Sequence, residues 1–287
     1  MNHMTNPYIP YKAKIEQIIQ ETSSQDLDVK TYKIRLLVNN DENPNTPISF
    51  MPGQFVEFSI PGTGECPFGF ASILREDGCF DITIKRTGKV TNRIHALNEG
   101  SDVWIRGPFG NTFPLKQMET SDLLIIAGGI GLAPLRPVIQ YVLTDSNRPN
   151  YGKIDILLAA RSSADRCFTY DYESWSNVNK TSVLQTIDKE EVGWTGLVGF
   201  PHNLVRNISA DTKNLYAILC GPPIMIKAVQ ETLSSMGLPP EKIYTTLEMR
   251  MTCGVGKCAK CNIGHQYICI DGPVFSMAEL SKMPDEY

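Results

Sequence analysis

The chain has 287 residues, enough for two hydrophobic cores and a small additional module. Hydrophobic residues make up 42%, charged residues 20%, and the net charge is −4, which excludes the basic footprint of a nucleic-acid-binding protein. No apolar run approaches the about 20 residues of a membrane span, and Met1–Pro10 lacks the pattern of an export signal. Eight cysteines without export indicate a reducing compartment. We therefore expect a cytoplasmic protein of three modules that binds no nucleic acid and spans no membrane.

The first module, residues 8–112, is predicted to be a small antiparallel β barrel. Short β-rich runs alternate with clusters of Gly, Pro, Asn or Asp. These runs are Ala13–Ile19, Lys30–Val38, Gln54–Ile60, Cys79–Lys85 and Val103–Arg106. One helix is expected near Thr91–Leu97, and Asp41–Pro47 is predicted to be a solvated loop.

Three stretches of this module have patterns suited to a ligand. Met51–Val56 is a turn that leads into a strand, and Cys66–Ser72 is predicted to follow another strand. Lys85–Thr91 ends in a Gly-x-x-Thr that opens a helix. Free N–H groups at a helix start, the Thr91 hydroxyl and two cationic neighbours suit a pyrophosphate. On their own, however, glycines in barrel turns are more often structural.

The second module, residues 113–240, alternates strands with helices. The predicted strands are Asp122–Ala127, Ile154–Ala160, Ser182–Thr186 and Tyr216–Cys220. The predicted helices are Leu135–Thr144 and Ile224–Met236. This alternation is typical of a parallel sheet with helices on both faces, and such sheets bind ligands beyond the carboxyl ends of their strands.

Two glycine-bearing turns lie at that edge of the predicted sheet. Gly128–Pro134 follows the first strand, and Cys220–Pro223 follows the last. A lone Gly-x-Gly is a weak signal that close packing also explains, whereas the pair of turns is more specific. Arg161 and Arg166 follow the second strand, where an arginine could meet a 2′-phosphate, so NAD and NADP both remain open.

The third module, residues 241–287, begins with a predicted strand at Lys242–Leu247 and carries half of the chain's cysteines. Cys253, Cys258, Cys261 and Cys269 have the spacing C-x4-C-x2-C-x7-C, the plant-type [2Fe–2S] pattern. Glycines at 254, 256 and 264 permit a tight wrap of the loop. A four-cysteine zinc site stays open, although its ligands usually come as two separated pairs. A disulfide framework is disfavoured, and His265 alone cannot make a Rieske centre.

Together these stretches resemble the ferredoxin–NADP reductase superfamily, whose barrel holds FAD. The resemblance implies FAD contacts at Phe68, Gly69, Phe70, Ala71, Ser72, Lys85, Gly88, Val90 and Thr91. The chain departs from the family's Arg-x-aromatic-Ser/Thr motif, because Cys66 replaces the arginine and Gly69 the hydroxyl residue. The resemblance also implies NAD(P) contacts at Gly128, Gly129, Gly131, Pro134, Arg161, Cys220, Gly221 and Pro222.

The order of the modules resembles one subgroup of that superfamily. Its members are the electron-transfer subunits of dihydroorotate dehydrogenase and of anaerobic sulfite reductase, and the γ (diaphorase) subunit of cytoplasmic nickel–iron hydrogenases. The stretches Leu247–Cys258 and Asp271–Phe275 resemble the hydrogenase type most.

The resemblance implies a converter between hydride and single electrons. It also implies a catalytic partner subunit that docks near residues 253–275, with a hydrogenase expected and a further iron–sulfur subunit as an additional candidate. A reductase of soluble ferredoxin and a non-redox docking module stabilised by zinc are the alternatives.

Overall fold

The computed structural model describes residues 6–24, 26–37, 48–208 and 212–284. The first part of the chain forms an antiparallel sheet of six strands with the order β4-β3-β6-β1-β2-β5. These strands are β1 (Tyr11–Gln20), β2 (Val29–Leu36), β3 (Phe55–Ile60), β4 (Gly64–Gly69), β5 (Cys79–Lys85) and β6 (Asp102–Phe109). A bridge between Phe70 and Ile82 joins the two outer strands and closes the predicted barrel. The predicted loop 41–47 and the predicted strand end at Val38 lie outside the described residues.

The structure corrects one prediction for the barrel. Cys66 to Gly69 do not follow a strand but lie within β4, where Phe68 is paired with Val56 of β3. The sequence obscures this strand because Pro67 lacks an N–H group and glycines flank it. Proline is tolerated here because β4 is the last strand in the hydrogen-bonded order.

The second sheet has seven strands with the order β10-β9-β8-β7-β11-β12-β15. All neighbours in it are parallel except β12 and β15. The strands after the barrel are β7 (Asp122–Gly128), β8 (Ile154–Ala160), β9 (Thr181–Ile187), β10 (Leu197–Val198), β11 (Leu215–Cys220), β12 (Ile243–Thr246), β13 (Asn262–Ile263), β14 (Gln266–Tyr267) and β15 (Val274–Ser276). The α-helices are α1 (Lys89–His95), α2 (Leu132–Leu143), α3 (Tyr172–Ser176), α4 (Pro201–Leu204), α5 (Pro223–Ser235) and α6 (Met277–Leu280). The predicted fold class, a barrel followed by a parallel α/β sheet, is therefore confirmed.

The third module shares its packing with the other two. Strands β12 and β15 belong to the second sheet, while β13 and β14 form a separate hairpin. Cys261, Cys269 and Phe275 pack in one hydrophobic cluster with Phe55 and Phe109 of the barrel. The module thus lies against both larger domains, and the division of the chain at residue 240 stays a prediction. In the described ranges, no helix combines the length and apolar character needed to cross a membrane.

Candidate functional site

The two glycine-bearing turns of the second sheet are in direct contact. Strands β7 and β11 are parallel neighbours, so their carboxyl ends place the two turns side by side. A Cβ on Gly131 would stand 2.5 Å from the carbonyl oxygen of Cys220, and a Cβ on Gly128 would stand 2.6 Å from Sδ of Met225. Gly129 instead faces open space, with no atom within 4 Å of its missing Cβ. The backbone at Gly129 can therefore approach a bulky pyrophosphate.

Cys220 lies at the end of β11 with a neutral thiol. Its side chain is buried, and its Sγ lies 3.3 Å from Oγ1 of Thr246 at the end of β12. Burial raises the pKa of the Cys220 thiol to about 12, against the opposing hydrogen bond from Thr246. The thiol therefore stays protonated at neutral pH and places no negative charge at this edge of the sheet.

The two arginines after β8 occupy different surroundings. Arg161 is exposed. Arg166 lines a small recess beside Gly129 and donates from Nη1 to Oε1 of Gln185 at 2.8 Å. The guanidinium of Arg166 also stacks 4.9 Å from the ring centre of Trp194. Of these two candidates for a 2′-phosphate, Arg166 thus lines a recess together with Gly129.

The predicted flavin segment meets the nucleotide domain at Gly69. A Cβ on Gly69 would stand 3.5 Å from Cβ of Pro134. Phe68 is half-buried, whereas Phe70 is 1% exposed and stacks on Phe50 inside the barrel. The ring of Phe70 is therefore a core side chain, and a ligand can meet only its backbone.

The next two residues of this segment are also held by protein contacts. The Ala71 carbonyl accepts a 2.8 Å hydrogen bond from Arg136 of α2. The Ser72 hydroxyl accepts one from the backbone N–H of Asp81 at 2.9 Å. Arg136 also forms an ion pair with Asp81. The two contacts of Arg136 join the barrel to the nucleotide domain beside the predicted flavin segment.

The turn from Lys85 to Thr91 is shaped by the Thr91 hydroxyl. Oγ1 of Thr91 accepts hydrogen bonds from the backbone N–H groups of Thr87 and Gly88, both at 2.8 Å. The space beside Gly88 is open, and Lys85 is exposed. Val90 contacts the position where a Cβ of Gly64 would stand, at 3.2 Å. The hydroxyl of Thr91 thus holds the turn in shape, while its glycine leaves room for a ligand.

The loop with the four cysteines directs backbone N–H groups toward sulfur. Sγ of Cys253 accepts hydrogen bonds from Val255 at 3.5 Å, Lys257 at 3.3 Å and Cys258 at 3.4 Å. Burial alone would raise the pKa of the Cys253 thiol, but these N–H donors lower it to about 6. Such donors stabilise a thiolate and hence a bound metal centre.

The four thiols lie near one another: Cys253 interacts with Cys258 and Cys269, and Cys269 also interacts with Cys261. Sγ of Cys269 accepts a hydrogen bond from Gly256 at 3.1 Å. Burial, together with Cys261, raises the pKa of the Cys269 thiol to about 12. Four cysteines on one N–H-rich loop fit the donor set of a cluster with two irons. In the part of the chain that the structure describes, no three His, Cys, Asp or Glu side chains converge on a single ion.

Glycine is required where this loop meets the barrel. Gly254 has φ +71°, and a Cβ there would stand 2.8 Å from the ring of Phe109. Gly256 has φ +70° and packs against Ile270. The predicted tight wrap is thus present, and His265 is exposed.

Several residues that organise these sites are absent from the sequence-based predictions. Arg106 and Asn111 tie the third module to the barrel, and Thr246 contacts Cys220. Asn111 donates from Nδ2 to the carbonyl of Val274 at 2.8 Å, and its Oδ1 accepts from the N–H of Val274 at 2.9 Å. Of these residues, only Thr246 could have been identified from the sequence. It ends a strand beside β11, and parallel sheets bind ligands at the edge where their strands end.

Three family profiles match successive parts of the chain. An oxidoreductase FAD-binding domain matches residues 18–113, and an oxidoreductase NAD-binding domain matches residues 125–231. The iron–sulfur cluster binding domain of dihydroorotate dehydrogenase B matches residues 248–281. The fold and these domains define an oxidoreductase with FAD-binding, NAD-binding and iron–sulfur domains.

Curated relatives place the chain more narrowly. Sulfhydrogenase 1 subunit gamma of Pyrococcus furiosus is 37% identical, over 97% of this chain and 94% of the relative. Sulfhydrogenase 2 subunit gamma of the same organism is 39% identical, over 94% and 96%. A probable electron-transfer subunit of dihydroorotate dehydrogenase B from Thermococcus kodakarensis is 32% identical, over 91% and 96%. The chain belongs to this family of flavin and iron–sulfur electron-transfer subunits.

Solved structures support the fold. The NADH-dependent reduced ferredoxin–NADP oxidoreductase structure matches with TM-score 0.71 and 24% identity, over 97% of this chain and 91% of that one. A cytochrome P450 reductase of Amycolatopsis matches with TM-score 0.69 and 20% identity, over 83% and 69%. At these identities the likeness concerns the fold alone.

Proposed function

We propose that this chain is the diaphorase subunit of a multi-subunit redox complex and passes electrons between NAD(P)H and a partner, a nickel–iron hydrogenase. The observation that carries the proposal is the similarity to two sulfhydrogenase gamma subunits along nearly the whole chain, through the four-cysteine loop. With such a partner, the complex would interconvert H2 and NAD(P)H.

The proposed nucleotide site consists of the paired turns. Gly129 offers an open backbone to the pyrophosphate, and Gly131 keeps the Cys220 turn close. The neutral thiol of Cys220 and its partner Thr246 would border the nicotinamide. The contact of Gly69 with Pro134 supports a flavin beside this cleft, because it joins the two cofactor segments directly.

The proposed flavin site uses the backbone from Phe68 to Ser72, the half-buried ring of Phe68 and the turn from Lys85 to Thr91. A bound FAD supplies the exchange between hydride and single electrons. The chain's own residues orient the flavin, hold its pyrophosphate and exclude water. No side chain is needed as a general acid or base.

The proposed metal centre is a [2Fe–2S] cluster on Cys253, Cys258, Cys261 and Cys269. The C-x4-C-x2-C-x7-C spacing and the N–H donors to sulfur support a two-iron cluster over a single zinc ion. Clusters of this type have potentials of roughly −400 mV, within reach of low-potential partners.

The partner is proposed to dock beside the cluster loop, where apolar side chains are exposed. Ile270, next to the ligand Cys269, is 51% exposed, and Tyr8 and Ile9 are 46% and 65% exposed. Lys257 of the loop lies with its Nζ 5.4 Å from the Tyr8 ring centre, so the amino-terminal segment and the loop form one surface. A surface next to the cluster gives an electron acceptor a short path.

A second candidate partner is a dihydroorotate dehydrogenase. Six relatives from 30% to 33% identical are named as its probable electron-transfer subunits. The proposed flavin and cluster would be the same, but the partner would then interconvert dihydroorotate and orotate. Sulfite reductase remains a third candidate on the resemblance alone.

The test is anaerobic purification of the native protein with its co-purifying subunits. Iron, acid-labile sulfide and flavin are assayed on one sample, and NADH and NADPH are compared as reductants. We expect two irons, two sulfides and one FAD per chain, a spectrum bleached by at least one nucleotide, and a nickel-containing subunit. A colourless, zinc-containing protein would overturn the redox proposal, and a co-purifying dihydroorotate-oxidising subunit would replace the hydrogenase.

A further inference from the structure

Arg106 of β6 connects the flavin barrel to the cluster loop. The residue is 6% exposed, and its guanidinium donates from Nε and Nη2 to the two carboxylate oxygens of Glu65, both at 2.8 Å. Nη1 donates to the carbonyls of Cys253 and Pro7, and Nη2 to the carbonyl of Thr252, all at 3.0 Å. All five N–H donors of the side chain are therefore used.

Two of these acceptors belong to the start of the cluster loop. Cys253 is a proposed ligand, and its Sγ receives the N–H groups that follow it in the loop. Arg106 thus holds the backbone of Cys253, while the N–H groups of the following residues hold its Sγ. The barrel and the cluster loop are therefore joined at the proposed ligand itself, in addition to the contact of Gly254 with Phe109.

The charge at this junction is also unusual. Glu57 faces Arg106 across the pairing of β3 with β6 and is fully buried. Neither carboxylate oxygen of Glu57 has a hydrogen-bond partner among the described residues. The positive charge of Arg106 therefore acts on Glu57 as well as on Glu65, and its Nη1 lies 3.0 Å from the carbonyl oxygen of Cys253. A positive charge at this position would stabilise the added negative charge of a reduced cluster held by Cys253.

We propose that Arg106 is a positioning residue for the iron–sulfur centre, which holds the Cys253 peptide against the flavin barrel and favours the reduced cluster by its charge. This inference rests on the assignment of the four cysteines as cluster ligands. Lysine cannot replace the arginine fully, because its ammonium group lacks the planar arrangement of five N–H donors that reaches Glu65 and three carbonyls together.

The test uses R106Q, R106K and E65Q in the anaerobically purified protein with its co-purifying subunits. The electron paramagnetic resonance signal that is lost in Cys258→Ser identifies the cluster, and its midpoint potential is measured by redox titration. We expect R106Q to shift the potential to more negative values and to broaden the signal. We expect R106K to have the wild-type potential but a broadened signal, because lysine keeps the positive charge but lacks the planar guanidinium group.

E65Q keeps the arginine and removes a negative charge, so it shifts the potential in the opposite direction. R136K is the matched control, because Arg136 is also a buried arginine and joins the barrel to the nucleotide domain through its ion pair with Asp81. R136K leaves the cluster's potential and line shape unchanged.

Wild-type potential and line shape in R106Q would overturn the inference. If R106Q does not fold, an unshifted potential in E65Q overturns it equally. Absence of iron and sulfide from the wild-type protein would instead remove the proposed cluster, so the two failures are distinguishable.

Discussion

The backbone of Gly131 lies against the carbonyl of Cys220, and a Cβ on Gly131 would stand 2.5 Å from that oxygen. The two residues follow neighbouring parallel strands, β7 and β11, whose carboxyl ends meet at one edge of the sheet. The absence of a side chain at position 131 therefore sets the separation of the two turns that border the proposed nucleotide cleft.

Gly131→Ala is expected to force these turns apart. Overpacking of this kind costs about 1–3 kcal/mol, and each 1.4 kcal/mol of lost binding is tenfold in affinity. We expect the KM for NAD(P)H to rise roughly tenfold or more, measured by flavin bleaching in a stopped-flow spectrometer. Ala133→Gly is the control: it destabilises the start of the same helix without bringing the two turns into a steric clash. If Gly131→Ala and the wild type have the same KM for NAD(P)H, the contact between Gly131 and Cys220 does not shape the nucleotide site.

Cys258→Ser is expected to separate hydride transfer from single-electron transfer. The variant loses one proposed cluster ligand but leaves the paired nucleotide turns and the flavin segment intact. We expect NAD(P)H to reduce the flavin at the wild-type rate while electron delivery to the partner is lost. Cys79→Ser is the control, since Cys79 is buried in β5 of the barrel, outside the cluster loop. Full partner turnover in Cys258→Ser would place the cluster outside the electron path.

Thr91→Val is expected to weaken FAD retention through the shape of its turn. The substitution removes the acceptor of the N–H groups of Thr87 and Gly88. Loss of such a cap costs about 1 kcal/mol. We expect lower flavin occupancy after gel filtration and faster flavin loss on dilution, whereas Thr91→Ser, which keeps the hydroxyl, retains FAD. Unchanged occupancy in Thr91→Val would remove this turn from the flavin site.

Glu57→Gln is expected to stabilise the protein at high pH. Burial raises the pKa of the Glu57 carboxyl from 4.5 to about 7, and Glu65 adds to the shift against the opposing charge of Arg106. Between pH 4.5 and about pH 7, the Glu57 carboxyl loses its proton in the unfolded chain but keeps it in the folded chain. The free energy of unfolding therefore falls as pH rises. Above pH 7, the free energy of unfolding is lower by about 3 kcal/mol in total.

Urea denaturation at several pH values tests this prediction. Glu57→Gln is expected to match the wild type near pH 4.5 and to exceed its stability progressively up to about pH 7. Asp77→Asn is the control, because its exposed carboxyl pairs with Lys33 and has its pKa lowered to about 2, mainly by that hydrogen bond. If the difference in the free energy of unfolding between Glu57→Gln and the wild type does not change with pH, ionisation of the Glu57 carboxyl does not destabilise the folded protein.

Features with a local cause were predictable from the sequence. The spacing of the four cysteines, the glycine turns after β7 and β11 and the alternation of strands with helices all follow from short-range geometry. The barrel and the parallel sheet were predicted for this reason. Strand β4 was not, because Pro67 carries a local signal against strands that its edge position overrides.

Only the tertiary structure decided which side chains serve a site and which fill a core. Phe68 and Phe70 belong to one predicted segment, yet only the ring of Phe68 is partly exposed. Arg106 reads in the sequence as an ordinary strand residue, but it meets Cys253 although 147 residues separate them. The sequence by itself predicted the cofactor-binding motifs, because each is contiguous in the chain. Their mutual placement depends on contacts between residues far apart in the chain, so only the folded structure reveals it.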